Sequence, residues 1–201
     1  MKILLSLETK ESLEIFPYLG KYVDGVKINH LLWNEVDFNI EEGKELFVDF
    51  KLWDTLNTVK TVVERIIKNG GTMTTISTLN NPEVFHALKE FSDDIKLLGV
   101  SFLTSWRHKR QSWEDHVELT EPNGFKGMVC SAKDIPNIKS NLLKVCPGIT
   151  YGSKNSGQVR TTTPKEAQDL GADYIVIGRA VTASENPIET LKKIKKSLKK
   201  T

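Results

Sequence analysis

Three ionisable side chains, Asp49, Lys51 and Asp54, crowd the junction of the run FVDFKLWDTLNT, Phe47 to Thr58. Side chains of a strand alternate between its faces, so Asp49 and Lys51 point one way while Val48 and Phe50 point the other. Beyond Trp53 the apolar spacing changes to Leu56, Val59, Val62, Val63 and Ile66, which predicts a helix. Asp54 and Thr58, four residues apart, then share a face of that helix. An acid and an amine on the inner face of a strand are costly unless they are matched or do chemistry. An ammonium held between Asp49 and Asp54 stays protonated; it is a fixed positive charge that can meet a developing anion and deliver a proton. The structural alternative is an ion pair, with Asp54 as a helix cap.

Two further stretches carry polar groups suited to anions. In CPGITYGSKNSGQVRTTTP, residues 146–164, Pro147-Gly148 ends a strand and a Gly- and Ser-rich loop follows. Loops of this length in a compact domain are usually functional or disordered. In YIVIGRAVTASENP, residues 174–187, Gly178 lets backbone N–H groups approach an anion and Arg179 can grip phosphate oxygens as a fork. The four histidines have no metal-ligand spacing, and no acid–histidine or nucleophilic triad is apparent.

These groups need a scaffold, and the chain supplies alternating strand-like and helix-like segments along its 201 residues. Strands are expected at 3–7, 25–28, 45–51, 72–78, 95–103, 124–130, 142–146 and 172–178. Eight β/α units predict a (β/α)₈ TIM barrel spanning 1–201 as one domain, with a doubly wound sheet as the competing architecture. In such barrels active sites gather at the C-terminal strand ends, where Glu8, Lys27, Asp49, Lys51, Ser105 and Arg179 all fall. The closing helix sets Ile188, Leu191, Ile194 and Leu198 on one face and lysines on the other, which reads as a solvated basic face. A net charge of +2 gives no push toward nucleic acid or membrane. Cys130 and Cys146 sit in apolar runs and are expected as buried free thiols in a reducing cytoplasm. No apolar run approaches the ~20 residues needed to span a bilayer.

The D-x-K-x-x-D run leading into Asn57-Thr58 resembles the signature of the orotidine 5′-phosphate decarboxylase family, bacterial members of which carry D-x-K-x-x-D-I-P-N-T. Thr55-Leu56 stands where Ile-Pro is usual, and Trp53 where His is common. SLE ending at Glu8 matches the family's A-L-D, GVKIN around Lys27 its V-K-x-G, and FLTS, 102–105, its V-L-T-S. SGQVR around Gln158 matches G-D-Q-R-R, and VIGRAVT matches V-I-G-R-P-V-T, while Thr150 replaces an arginine often found after P-G-I.

The resemblance implies a decarboxylase that makes uridine 5′-phosphate without metal or cofactor, with Lys51 as proton donor in an Asp49–Lys51–Asp54 array. It also implies ribose contacts from Glu8 and Lys27, pyrimidine contacts from Thr104 and Ser105, and phosphate contacts from Gln158, Gly178 and Arg179. Asp54 and Thr58 would complete the site of a homodimer partner. One rival is a magnesium-dependent sugar-phosphate lyase of the same superfamily, which typically has a metal-binding Glu at the end of strand 2, where this chain has Val26-Lys27-Ile28. Another is a nucleotide-binding barrel without activity, for which the departures at Glu8 and Thr150 speak. Segment 106–116 has no assigned role.

Overall fold

The computed structural model describes residues 1–33, 40–101, 112–152 and 161–198. In chain order its regular elements begin with β1 (Lys2–Leu7), α1 (Lys10–Leu19), β2 (Gly25–Ile28), β3 (Glu45–Leu52) and α2 (Leu56–Lys68). Then come β4 (Met73–Ser77), α3 (Pro82–Leu88), β5 (Lys96–Val100), α4 (Trp113–Thr120), β6 (Gly127–Val129) and β7 (Leu143–Cys146). The series ends with α5 (Pro164–Asp169), β8 (Tyr174–Ile177), α6 (Arg179–Thr182) and α7 (Pro187–Leu198). All eight strands are parallel, each pairs with its sequence neighbours, and β8 closes on β1 with Lys2 opposite Tyr174 and Leu5 opposite Ile177. The expected barrel is therefore the observed one, and the doubly wound alternative is excluded.

Strand alternation divides the core in two. Leu4, Phe47, Met73, Leu98, Val145 and Val176 point inward and fill the lumen. Their neighbours Leu5, Leu46, Val48, Leu97 and Ile175 point outward and pack under the helices. On α2, Val59, Val63 and Ile66 are fully buried, at the spacing that predicts this helix. Leu191 and Ile194 anchor α7 in the same way, with Ile188 and Leu198 at the margin.

Three expectations change in detail. Among the described residues no helix follows β2, and a 3₁₀ segment, Ala132–Asn137, takes the helix position after β6. The strand expected at 95–103 ends at Val100. The polar-looking 106–116 segment is partly core: its first residues, 106–111, lie outside the described ones, but Trp113 and His116 are buried. His116 docks α4 onto β5 because residue 99 is glycine; a Cβ there would lie 2.5 Å from His116 Nε2. Ser101 and His116 Nδ1 share a 2.7 Å hydrogen bond, and burial lowers the imidazole pKa to about 4. Cys130 and Cys146 are buried free thiols with their sulfurs 3.9 Å apart.

Candidate active site

The C-terminal mouth of the barrel gathers Glu8, Lys27, Asp49 and Lys51 into one continuous charged array. Glu8 directly follows β1, Lys27 lies in β2, and the other two lie in the second half of β3. Lys51 Nζ is 2.8 Å from Asp49 Oδ1. Lys27 Nζ lies 3.6 Å from Asp49 Oδ2 and 3.7 Å from Glu8 Oε1, so it links the two acids. Burial pushes the Asp49 carboxyl upward, but Lys51, Lys27 and a hydrogen bond from Thr75 outweigh it and hold the acid below its usual range. Asp49 is thus a carboxylate in the fold, with an ammonium on each side.

Simple alternation is not what brings Asp49 and Lys51 together. Val48 pairs with Thr74 and Leu52 with Ile76, so Asp49, Phe50 and Lys51 all bulge past one residue of β4, Thr75. Lys51 takes a φ of +52°, and it is the one non-glycine with positive φ among the described residues. That conformation is strained for a side chain with a Cβ and persists only where its surroundings enforce it. Thr75 does so from β4: its Oγ1 accepts from Lys51 N at 2.8 Å and donates to Asp49 Oδ1 at 2.9 Å. The sequence reading missed Thr75. The signal for it was parity in MTTIS, which turns Met73 and Thr75 toward the lumen beside β3.

Asp54 requires a correction. The helix begins at Leu56 with Thr55 as its N-cap, so Asp54 precedes the helix and shares no helical face with Thr58. It is not the cap either: its Oδ1 accepts from Thr55 N at 2.6 Å, and its own N–H donates to Asn80 Oδ1. Among the described residues no ion pair joins it to Lys51, which therefore is not held between two acids of one chain. Asp54 and Thr58 are both exposed, the latter with its hydroxyl 3.0 Å from that of Thr55. Trp53, beside them, is 68% exposed.

Across the mouth, Gly178 follows β8 and Arg179 starts α6, exposed. The neighbouring loop after β7 is pinned at its base: Thr162 N donates to Gly148 O, and Thr150 N donates to Thr162 O, each at 3.0 Å. Gln158 in that loop, and Thr104 and Ser105 after β5, lie outside the described residues. No three of the described His, Cys, Asp and Glu residues converge as a metal site.

A profile of the orotidine 5′-phosphate decarboxylase / HUMPS family matches residues 4–194. The chain belongs to that family. Among curated relatives, the orotidine 5′-phosphate decarboxylase of Staphylococcus epidermidis is 31% identical, with 96% of each chain covered. The enzyme of the same name from Aquifex aeolicus is 32% identical over 92% of this chain and 90% of its own. The orotidine 5′-monophosphate decarboxylase structure from Metallosphaera sedula superposes with a TM-score of 0.78 at 24% identity, covering 98% of this chain and 97% of that one. At that identity the structural likeness speaks for the fold.

Proposed function

We propose that this protein decarboxylates orotidine 5′-phosphate to uridine 5′-phosphate in pyrimidine biosynthesis. The observation that carries the reading is the Asp49–Lys51 pair, 2.8 Å apart at the barrel mouth on a strained segment of β3. Loss of CO₂ leaves a carbanion at C6 of the pyrimidine. The Lys51 ammonium, held over that carbon, stabilises the developing charge and then protonates it. Asp49 orients Lys51 through their 2.8 Å ion pair. Lys27 and Glu8 receive the ribose hydroxyls, Thr104 and Ser105 the base, and Gln158, Gly178 and Arg179 the phosphate. Binding energy from the phosphate, remote from the breaking bond, supports catalysis at the pyrimidine.

No metal or cofactor enters this scheme. Where a magnesium-dependent lyase needs oxygen ligands, Lys27 puts an ammonium within 4 Å of both Glu8 and Asp49, which opposes a divalent ion there. The test is the ultraviolet absorbance of orotidine 5′-phosphate on addition of purified protein with a strong chelator present. The expected result is a steady fall to the spectrum of uridine 5′-phosphate. An unchanged spectrum at micromolar protein rejects the reading.

The protein acts as one barrel domain, in the cytoplasm and as a homodimer, with Asp54 and Thr58 of each subunit completing the other's site. In support, Lys51 is 39% exposed and has one carboxylate at hand, while Asp54 lies exposed near the same mouth. Lys51→Ala and Asp54→Ala homodimers should each be nearly inactive. Refolded together in equal amounts, about half the dimers are mixed, each with one undamaged site, so activity returns to about a quarter of wild type. Demonstrated subunit exchange without recovery rejects the shared site.

A further inference from the structure

The inner face of β1 runs Leu4, Ser6 and then Glu8, from the apolar lumen to the charged mouth. Ser6 is only 4% exposed. It lies in register with Lys27 on one side, and on the other a Cβ built at Gly178 would stand 3.3 Å from its own. A hydroxyl in such a wall must find a hydrogen-bond partner. Ser6 Oγ donates to Glu8 Oε1 at 3.1 Å, two residues further along the chain and just past the end of β1. The same oxygen lies 3.7 Å from Lys27 Nζ.

The Glu8 side chain is 49% exposed, and an unrestrained glutamate at a barrel mouth would spread over several rotamers. Here it is folded back toward Ser6. Ser6 and Lys27 hold one carboxylate oxygen, Oε1, between them. Lys27 in turn sits between Glu8 and Asp49, so the placement of Glu8 bears on the whole array.

We infer that Ser6 is a positioning residue: its hydroxyl draws the Glu8 carboxylate back onto Lys27 and so presents an acceptor to the vicinal diol of the substrate's sugar. This rests on the nucleotide reading above. It makes Ser6 a determinant of substrate binding rather than of the chemical step, since the hydroxyl acts through Glu8 and not on the pyrimidine.

The test is a double-mutant cycle of Ser6→Ala and Glu8→Ala, read as KM and kcat for orotidine 5′-phosphate and as calorimetric affinity for uridine 5′-phosphate. Loss of one hydrogen bond should raise KM and Kd about fivefold in Ser6→Ala, with kcat within about twofold. In the Glu8→Ala background, with no carboxylate left to position, the same substitution should change neither by more than about twofold. With 2′,3′-dideoxyuridine 5′-phosphate as the probe, Ser6→Ala should leave affinity unchanged. An equal cost in both backgrounds, or with both probes, would make Ser6 a packing residue and overturn the inference, as would a silent Ser6→Ala in active protein. Wild-type protein that neither converts nor binds the nucleotides would remove the parent reading, and this inference with it.

Discussion

Each end of the barrel holds a buried carboxylate among lysines, and the two clusters differ in how fully their acids are satisfied. At the floor, Glu45 begins β3 and is 5% exposed. Lys96 Nζ donates to both its oxygens at 3.1 Å, Thr72 Oγ1 to Oε2 at 2.8 Å and Tyr174 OH to Oε1 at 3.0 Å, while Lys2 lies 3.6 Å away. Burial raises the Glu45 carboxyl, but Thr72, Lys96 and Tyr174 together bring it below its ordinary value. Burial, and then the charge and hydrogen bond of Glu45, push the Tyr174 phenol well up. None of these residues has a positive φ, and the cluster ties β1, β3, β5, β8 and the approach to β4 together. At the mouth, the Asp49 side chain is 12% exposed, yet its strand bulges and Lys51 is strained at φ +52°. The floor completes its own hydrogen bonds; the mouth holds a charge in readiness for something else. In the function proposed above, similar residues at opposite ends of the same strand stabilise in one place and react in the other, following the asymmetry of barrel faces.

The largest effect expected at the mouth is that of Lys51→Ala. Turnover should fall below about a thousandth of wild type while uridine 5′-phosphate still binds by calorimetry, because the sugar and phosphate contacts remain. A variant with more activity than that would take the proton-donor role away from Lys51. Arg179→Ala should act more mildly: losing a charge-assisted fork to phosphate lowers kcat/KM roughly ten- to hundredfold. An unchanged kcat/KM would remove the β8 end from the site.

Acid should expose the fold-stabilising side of the comparison. His116, near 4 in the fold against 6.5 free, is neutral when buried, so the unfolded chain takes up a proton first. Stability should therefore fall as pH drops from about 6.5 to about 4, by up to about 3 kcal/mol. Glu45 and Asp49 have lowered values, so their contributions are present above their ordinary 4.5 and 3.8 and vanish as pH falls through the depressed folded values. Urea melts across pH 3–7 should show a decline in two stages. A flat profile between pH 6.5 and 4.5 would mean that His116 is charged in the fold.

Local pattern explains what could be read in advance. Apolar spacing located α2 and α7 because amphipathic helices carry their signal within one stretch of chain, and strand alternation separated the lumen from the outer layer. The D-x-K run marked the mouth for the same reason. Nothing local marks the bulge, since Lys51 owes its backbone conformation to Thr75 on the next strand, 24 residues away. Asp54 looked helical from its four-residue spacing to Thr58, but Thr55 is extended at ψ 154° and starts the helix later. Glu45 resembles any solvated acid at a strand start; its partners Lys96 and Tyr174 are 51 and 129 residues distant. Long-range closure of the barrel makes that cluster, and no window of sequence contains it.

The division of labour between the two ends is tested most directly by measuring kcat and Tm together for the isosteric pair Asp49→Asn and Glu45→Gln. Asp49→Asn should lose at least about a thousandfold in kcat, because Lys51 loses the charge that orients it. Its Tm should fall less than that of Glu45→Gln, since Lys27 keeps Glu8 and Lys51 opens to solvent. Glu45→Gln weakens the hydrogen bonds from Thr72 and Tyr174 to a buried acceptor and leaves the half-exposed Lys96 and Lys2 without their carboxylate, which costs on the order of 1–2 kcal/mol and lowers Tm by roughly 2–8 °C, while kcat stays within about threefold. The contrary result is Asp49→Asn retaining kcat within about tenfold, or Glu45→Gln losing its activity at an unchanged Tm; either would mean that the chemistry does not reside at the mouth.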